Sequence, residues 1–244
     1  MKKSMREASE QKAQRYYDDF SDSYERERGY GYHQMIDDLE VQVAAPYSRD
    51  ARVLDLGCGT GLILARVAEI AKEAVGIDLS EGMAQRARDR GLDVHIGSVC
   101  DLPFEDDQFD LTYSFKVLAH IPDIDVAVRE AVRVTRPGGH LLLEFYNPWS
   151  LRYLAKKVAG PQPISDDRTE ADIFTRWDSP LAIAKLLPSN VELVDYYGVR
   201  VLTPFAAVHR IPWVARGLSR AEYLAGRSPL RYFGGFLIAV LRKS

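Results

Sequence analysis

The chain has 244 residues, 46% of them hydrophobic and 27% charged, with a formal net charge of -3 and a pI near 6.0. That apolar share excludes a disordered polypeptide and suffices for a real core. The slightly acidic balance offers no basic footprint for nucleic acid and suits a neutral or apolar small molecule better.

In chain order, residues 1–45 are polar and tyrosine-rich and read as one or two helices broken near Gly29, Tyr30 and Gly31. The basic N-terminus lacks the apolar run of a signal peptide. Tyr16, Tyr17, Tyr24, Tyr30, Tyr32 and His33 crowd this segment, as expected of a helical cover that closes over something flat. From Arg52 short apolar runs alternate with helical stretches. Strands are predicted at 53–56, 74–77, 93–96, 110–113 and 140–145, and helices at 62–71, 82–90 and 125–134. This alternation means a parallel sheet covered on both faces, with a crevice beside strand 1 where strand order reverses. Beyond Tyr146 the regularity stops: helices are predicted at 149–159, 180–187 and 204–225, and strands at 191–201 and 235–241. The organisation expected is a cover at 1–45 and a main domain at 46–244 with lid insertions at about 147–188 and 203–232. The longest apolar runs are strand-sized, short of a membrane span. Cys58 and Cys100 match no metal-ligand spacing and read as reduced, buried thiols of a cytoplasmic protein.

The first strand runs into Gly57, Gly59 and Gly61, a bare backbone that can turn sharply under a ligand. A dinucleotide fingerprint would place its third glycine at the position of Leu62. Here it falls one residue earlier, which disfavours a nicotinamide oxidoreductase. The string Val53-Leu54-Asp55-Leu56-Gly57-Cys58-Gly59-Thr60-Gly61 resembles the first motif of class I S-adenosylmethionine-dependent methyltransferases. Arg136-Pro137-Gly138-Gly139, read as a turn into strand 5, strengthens the likeness, which is strong over about residues 50–145. The resemblance implies a doubly wound, mostly parallel seven-stranded α/β sheet whose last strand runs antiparallel. It also implies S-adenosyl-L-methionine as cofactor, with S-adenosyl-L-homocysteine as product.

On this resemblance, the glycine loop receives the methionine part of the cofactor and Asp55 orients its amino group. Asp78, at the end of strand 2, accepts from the ribose hydroxyls, with the N-cap role falling to Ser80. Leu79 and Met83 pack on the adenine, and the Val99 amide faces a ring nitrogen. Ser98 stands where the family usually carries an aspartate for the adenine amine, so its hydroxyl or the backbone must replace that contact. Phe115 belongs to the loop bordering the reacting methyl, and Tyr17 and Tyr24 belong to the cover, where a tyrosine matching Tyr24 often reaches the cofactor carboxylate. Asp106, Asp107 and Asp110 read as turn chemistry before strand 4.

The reaction expected is in-line methyl transfer to a small apolar or aromatic acceptor under a lid lined by Tyr146, Trp149 and Tyr153. His120 and His33 are the candidate general bases, needed only if the acceptor loses a proton. No metal constellation, nucleic-acid groove or stable membrane insertion is expected. The alternatives are a protein or nucleic-acid acceptor, or a cofactor-binding module without catalysis.

Overall fold

The computed structural model describes residues 2–21, 31–159, 163–165, 168–169, 174–203 and 212–244. The elements are α1 (Lys2–Phe20), α2 (Gly31–Ser48), β1 (Arg52–Leu56), α3 (Leu62–Ala68), β2 (Glu73–Asp78), α4 (Glu81–Asp89) and β3 (Asp93–Ile96). They continue with β4 (Phe109–Ser114), α5 (Ile124–Val134), β5 (Thr135–Tyr146), α6 (Leu151–Ala159), a small hairpin of β6 (Pro163–Ser165) and β7 (Arg168–Thr169), α7 (Pro180–Leu186), β8 (Val191–Val199), α8 (Pro212–Arg227) and β9 (Phe236–Lys243).

Seven strands form one sheet in the order β3-β2-β1-β4-β5-β9-β8. Strands β1 to β5 pair in parallel, and β9 runs antiparallel to both β5 and β8. This is the doubly wound sheet with an antiparallel last strand expected from the sequence. Alternation along each strand sorts the core. Leu54, Leu56, Phe109, Leu141, Leu143 and Phe145 meet α5 on one face. Val53, Leu111, Tyr113, Leu142 and Ile238 meet Met35, Ile36, Leu39 and Val43 of α2 on the other. Asp55 and Glu144, one residue out of phase with Leu54 and Leu143, therefore lie on the α2 face.

Helix α2 is thus a wall of the core, whereas α1 lies against α4. The β5 pairing begins earlier than expected: Thr135 already faces Phe109, and a bulge follows before Leu111 pairs with His140. Asp110 is a strand residue rather than a turn residue. Its carboxylate accepts from the Arg52 amide at 2.7 Å and pairs with Arg136, which ties the start of β4 to β1 and β5.

Candidate active site

Strand order reverses between β1 and β4, and the crevice expected there opens above their carboxyl ends. It is lined by Asp37, Asp55, Gly57, Cys58, Gly59, Thr60, Leu62, Ile63, Phe115 and Lys116. The loop after β1 is held by Ile77, whose carbonyl accepts from the amides of Gly57 (2.7 Å) and Cys58 (3.1 Å). All three glycines have positive φ, yet they serve different ends. A Cβ on Gly57 would come within 2.4 Å of the Val117 side chain, and one on Gly61 within 2.5 Å of Leu92. A Cβ on Gly59 would meet nothing within 4 Å. Gly59 is therefore the residue whose bare backbone faces open space, while Gly57 and Gly61 let the loop pack on its neighbours.

Asp55 is almost fully buried, at 4% exposure. Burial, with repulsion from Asp78 and Glu40 added, pushes its carboxyl up to about 8. Beside it lies a charged cluster that sequence reading missed. Lys116 Nζ donates to Asp37 and Glu40, both at 2.7 Å, and the Lys116 amide donates to Glu144 at 3.1 Å. Burial raises Glu40; burial and then repulsion from Glu40 raise Glu144 well above the carboxylate range. Glu144 has no ammonium of its own to offset its burial, because Asp37 and Glu40 take Lys116. Burial, then Asp55 and Asp78, also pushes the Cys58 thiol up, so Cys58 is no nucleophile.

At the other end of the crevice, Asp78 Oδ2 accepts from the Gly59 amide (2.8 Å) and Oδ1 from the Ser80 amide (2.9 Å). Ser80 is the N-cap of α4, its hydroxyl accepting from the Met83 amide, as expected. Two carboxylates of α1 reach this end. Asp18 Oδ1 accepts from the Ser80 hydroxyl at 2.5 Å and the Gly82 amide at 3.1 Å. The Ser98 hydroxyl donates to Glu10 Oε1 at 2.6 Å and accepts from the Cys100 amide. So Glu10 brings a carboxylate to Ser98, which stands where the resembling family usually carries an aspartate. Only the fold reveals this, because 88 residues separate the pair.

His120 closes the loop that begins at Phe115 and Lys116. Its Nδ1 lies 2.9 Å from the Phe174 carbonyl. A carbonyl only accepts, so Nδ1 carries the proton. Nε2 then turns a lone pair toward the Tyr146 hydroxyl, 3.4 Å away. Burial, with Arg152 and Lys156 nearby, pushes the imidazole below the usual histidine range. Tyr146 packs edge-on or tilted against Trp177 (5.5 Å) and Phe236 (5.1 Å), and Tyr153 against Trp177 (4.8 Å). In this group Trp177 takes the place expected for Trp149, which is 47% exposed.

The other sequence candidates are distributed as follows. Phe115 lines the crevice and stacks on Tyr113 at 5.0 Å. Met83 and Val99 are buried and Leu79 is half-buried. Tyr17 packs against Tyr16 on α1, and Tyr24 lies outside the described residues. His33 packs edge-on against Tyr32, and it is Tyr32 that meets the Arg200 guanidinium at 4.9 Å. No group of three or more metal-ligating side chains occurs among the described residues.

Residues 54–143 match the family described as "Methyltransferase domain". The chain is 32% identical over 193 residues to the 2-phytyl-1,4-naphtoquinone methyltransferase of Synechococcus elongatus, covering 73% of this chain and 74% of that one. It is 30% identical over 191 residues to the demethylmenaquinone methyltransferase of Clavibacter sepedonicus, covering 74% and 71%. Among solved structures, a Thermotoga maritima protein described as an S-adenosylmethionine-dependent methyltransferase superposes with a TM-score of 0.63. That match has 20% identity over 93% of this chain and 98% of the other, a likeness of fold.

Proposed function

Because the chain belongs to the class I S-adenosylmethionine-dependent methyltransferases, we propose that it methylates a planar aromatic small molecule, with quinols the nearest chemical class. S-adenosylmethionine is the cofactor; when bound, it supplies a methyl group already activated by a sulfonium. The crevice suits it on two counts: Gly59 opens onto free space, and Asp55 is a buried carboxylate that a ligand ammonium would compensate. Gly57, Gly59, Asp55 and Phe115 would hold the methionine end. Asp78, Leu79, Met83, Ser98 and Val99 would hold the adenosine end, with Glu10 replacing the missing motif acid.

The observation that carries the acceptor reading is the continuity of the Phe115–His120 loop. Its start lines the crevice, and its end meets the aromatic group of Tyr146, Trp177 and Tyr153. Flat rings select a flat acceptor, and the two relatives named above are methyltransferases of 2-phytyl-1,4-naphtoquinone and of demethylmenaquinone. His120 is the base: Nε2 takes the proton of an acceptor hydroxyl while the chain holds the attacking atom in line.

The test is incubation with deuteromethyl-labelled cofactor and a panel of naphthohydroquinones, benzohydroquinones, a protein extract and tRNA, followed by mass spectrometry. Label is expected on a quinol. Label confined to protein or tRNA, or no transfer to any acceptor despite tight S-adenosylhomocysteine binding, overturns the reading.

A further inference from the structure

The acceptor side of the site holds a cation that no anion accompanies among the described residues. Arg152, on α6, is 9% exposed. Its guanidinium carbon lies 4.2 Å from the Tyr146 ring centre, 4.6 Å from Phe236 and 5.0 Å from Trp177. Its Nε and Nη1 are buried and have no hydrogen-bond partner. The three rings offset part of the cost of burying the charge, but a π face does not replace an acceptor for each N–H, and donors left unsatisfied in the interior are expensive.

The other charges nearby do not neutralise it. Asp178, the carboxylate on the adjoining segment, is taken by Arg176 through two contacts of 2.7 and 2.8 Å. Glu222 is committed to the Val201 and Leu202 amides and the Thr203 hydroxyl. Arg200 donates to the Thr203 carbonyl and stands over Tyr32. Lys156 lies 5.9 Å from the Trp177 ring, and Arg152 and Lys156 both depress His120. Three cations thus border the aromatic group, while Asp37 and Glu40 are drawn to Lys116.

We propose that Arg152 is the anchor for a carboxylate carried by the acceptor, so that the substrate is a planar quinol or phenol that also bears an acid group. This deepens the methyltransferase reading of the same site and rests on it. The carboxylate supplies the missing partner of the guanidinium, and the rings that hold Arg152 in place also flank the acceptor plane. A charge-assisted contact in a buried setting exceeds what a neutral carboxamide at the same position supplies.

The experiment compares binding of 1-hydroxy-2-naphthoate and its carboxamide by calorimetry, with and without saturating S-adenosylhomocysteine, in the wild type and in Arg152→Met. Methionine keeps much of the packing of the arginine stem. The wild type is expected to favour the carboxylate about tenfold or more, and Arg152→Met to lose that preference while binding S-adenosylhomocysteine unchanged. Equal binding of the two probes by the wild type, no binding of the acid at millimolar concentration, or a preference that survives in Arg152→Met overturns the proposal. If Arg152→Met fails to fold, Arg152→Lys, which keeps the charge without the guanidinium geometry, is expected to retain a reduced preference; an undiminished one counts against the anchor. Failure of S-adenosylhomocysteine itself to bind the wild type would instead strike the methyltransferase reading.

Discussion

At the scale of single residues, His120 and Asp78 make the most direct claims. His120 reaches Phe174 through Nδ1 and Tyr146 through Nε2, so the neutral ring already has the tautomer a base requires. Its pKa is depressed by burial first and by two nearby cations second. A base works when deprotonated, and a lowered pKa keeps it so through neutral pH. The rate should therefore be flat around pH 7 and fall only on acidification below the ordinary histidine value. His120→Ala should lower kcat about a hundredfold with cofactor affinity unchanged. A pH-rate profile of both proteins checks this; an acid limb that persists in the variant would place the base elsewhere. Asp78→Ala should weaken S-adenosylhomocysteine binding by roughly 1–3 kcal/mol through loss of charge-assisted hydrogen bonds. Calorimetry showing wild-type affinity would take Asp78 out of the site.

At the scale of elements, the two N-terminal helices divide the work. Helix α2 buries Met35, Ile36, Leu39 and Val43 against the sheet, so its removal would open the core. Helix α1 buries Tyr16 and reaches the main domain through Asp18 to Ser80 and Gly82 and Glu10 to Ser98. Hydrogen bonds of this kind each contribute only about 0.5–1.5 kcal/mol to folding, yet they sit beside Asp78 and Ser98, at the end of the crevice proposed for adenosine. Deleting residues 1–30 should therefore cost about tenfold or more in cofactor affinity while the melting temperature shifts by only a few degrees. A truncated protein with full affinity and turnover would show that α1 is dispensable packing.

At the scale of the whole molecule, the α2 face of the sheet concentrates acids whose pKa burial raises. Asp55 sits at about 8 against an ordinary 3.8, and Glu40 and Glu144 are raised too. A carboxyl raised on folding binds more protons in the native state than in the unfolded one. It stabilises the fold below its unfolded pKa, and that contribution is lost as pH rises through the folded value. The cofactor-free protein should therefore melt at lower temperature at pH 8.5 than at pH 7, a window lying above the histidine titrations. Asp55→Asn should flatten this slope and raise the neutral-pH melting temperature by about 4 °C or more, while impairing cofactor binding. Melting curves that rise from pH 7 to 8.5, or a variant with the wild-type slope, would contradict the assignment. Among the described residues no helix is long and apolar enough to cross a membrane.

How much of this was legible beforehand depended on the range of the interaction. The strand and helix order, the position of Asp78 at a strand end and the N-cap at Ser80 are local properties of chain period and capping chemistry. The glycine loop was equally visible, but its division of labour was not. Whether a Cβ at Gly57, Gly59 or Gly61 meets Val117, open space or Leu92 depends on residues far along the chain. Trp149 is an aromatic beside Tyr146 in sequence, whereas Trp177, later in the chain, packs on Tyr146 in space.

By itself the sequence determined the parallel sheet and the crevice beside β1, because alternating apolar periods and glycine spacing write themselves into neighbouring residues, while the cofactor class followed from the resemblance of the glycine string to a methyltransferase motif. Only the tertiary structure decided that Glu10 meets Ser98, that Lys116 gathers Asp37 and Glu40, and that Arg152 lies among three rings without an acceptor for Nε or Nη1. The reason is physical: electrostatic partners in a folded chain are chosen by distance in space, and a list of residues carries no distances until the sheet and its helices have packed.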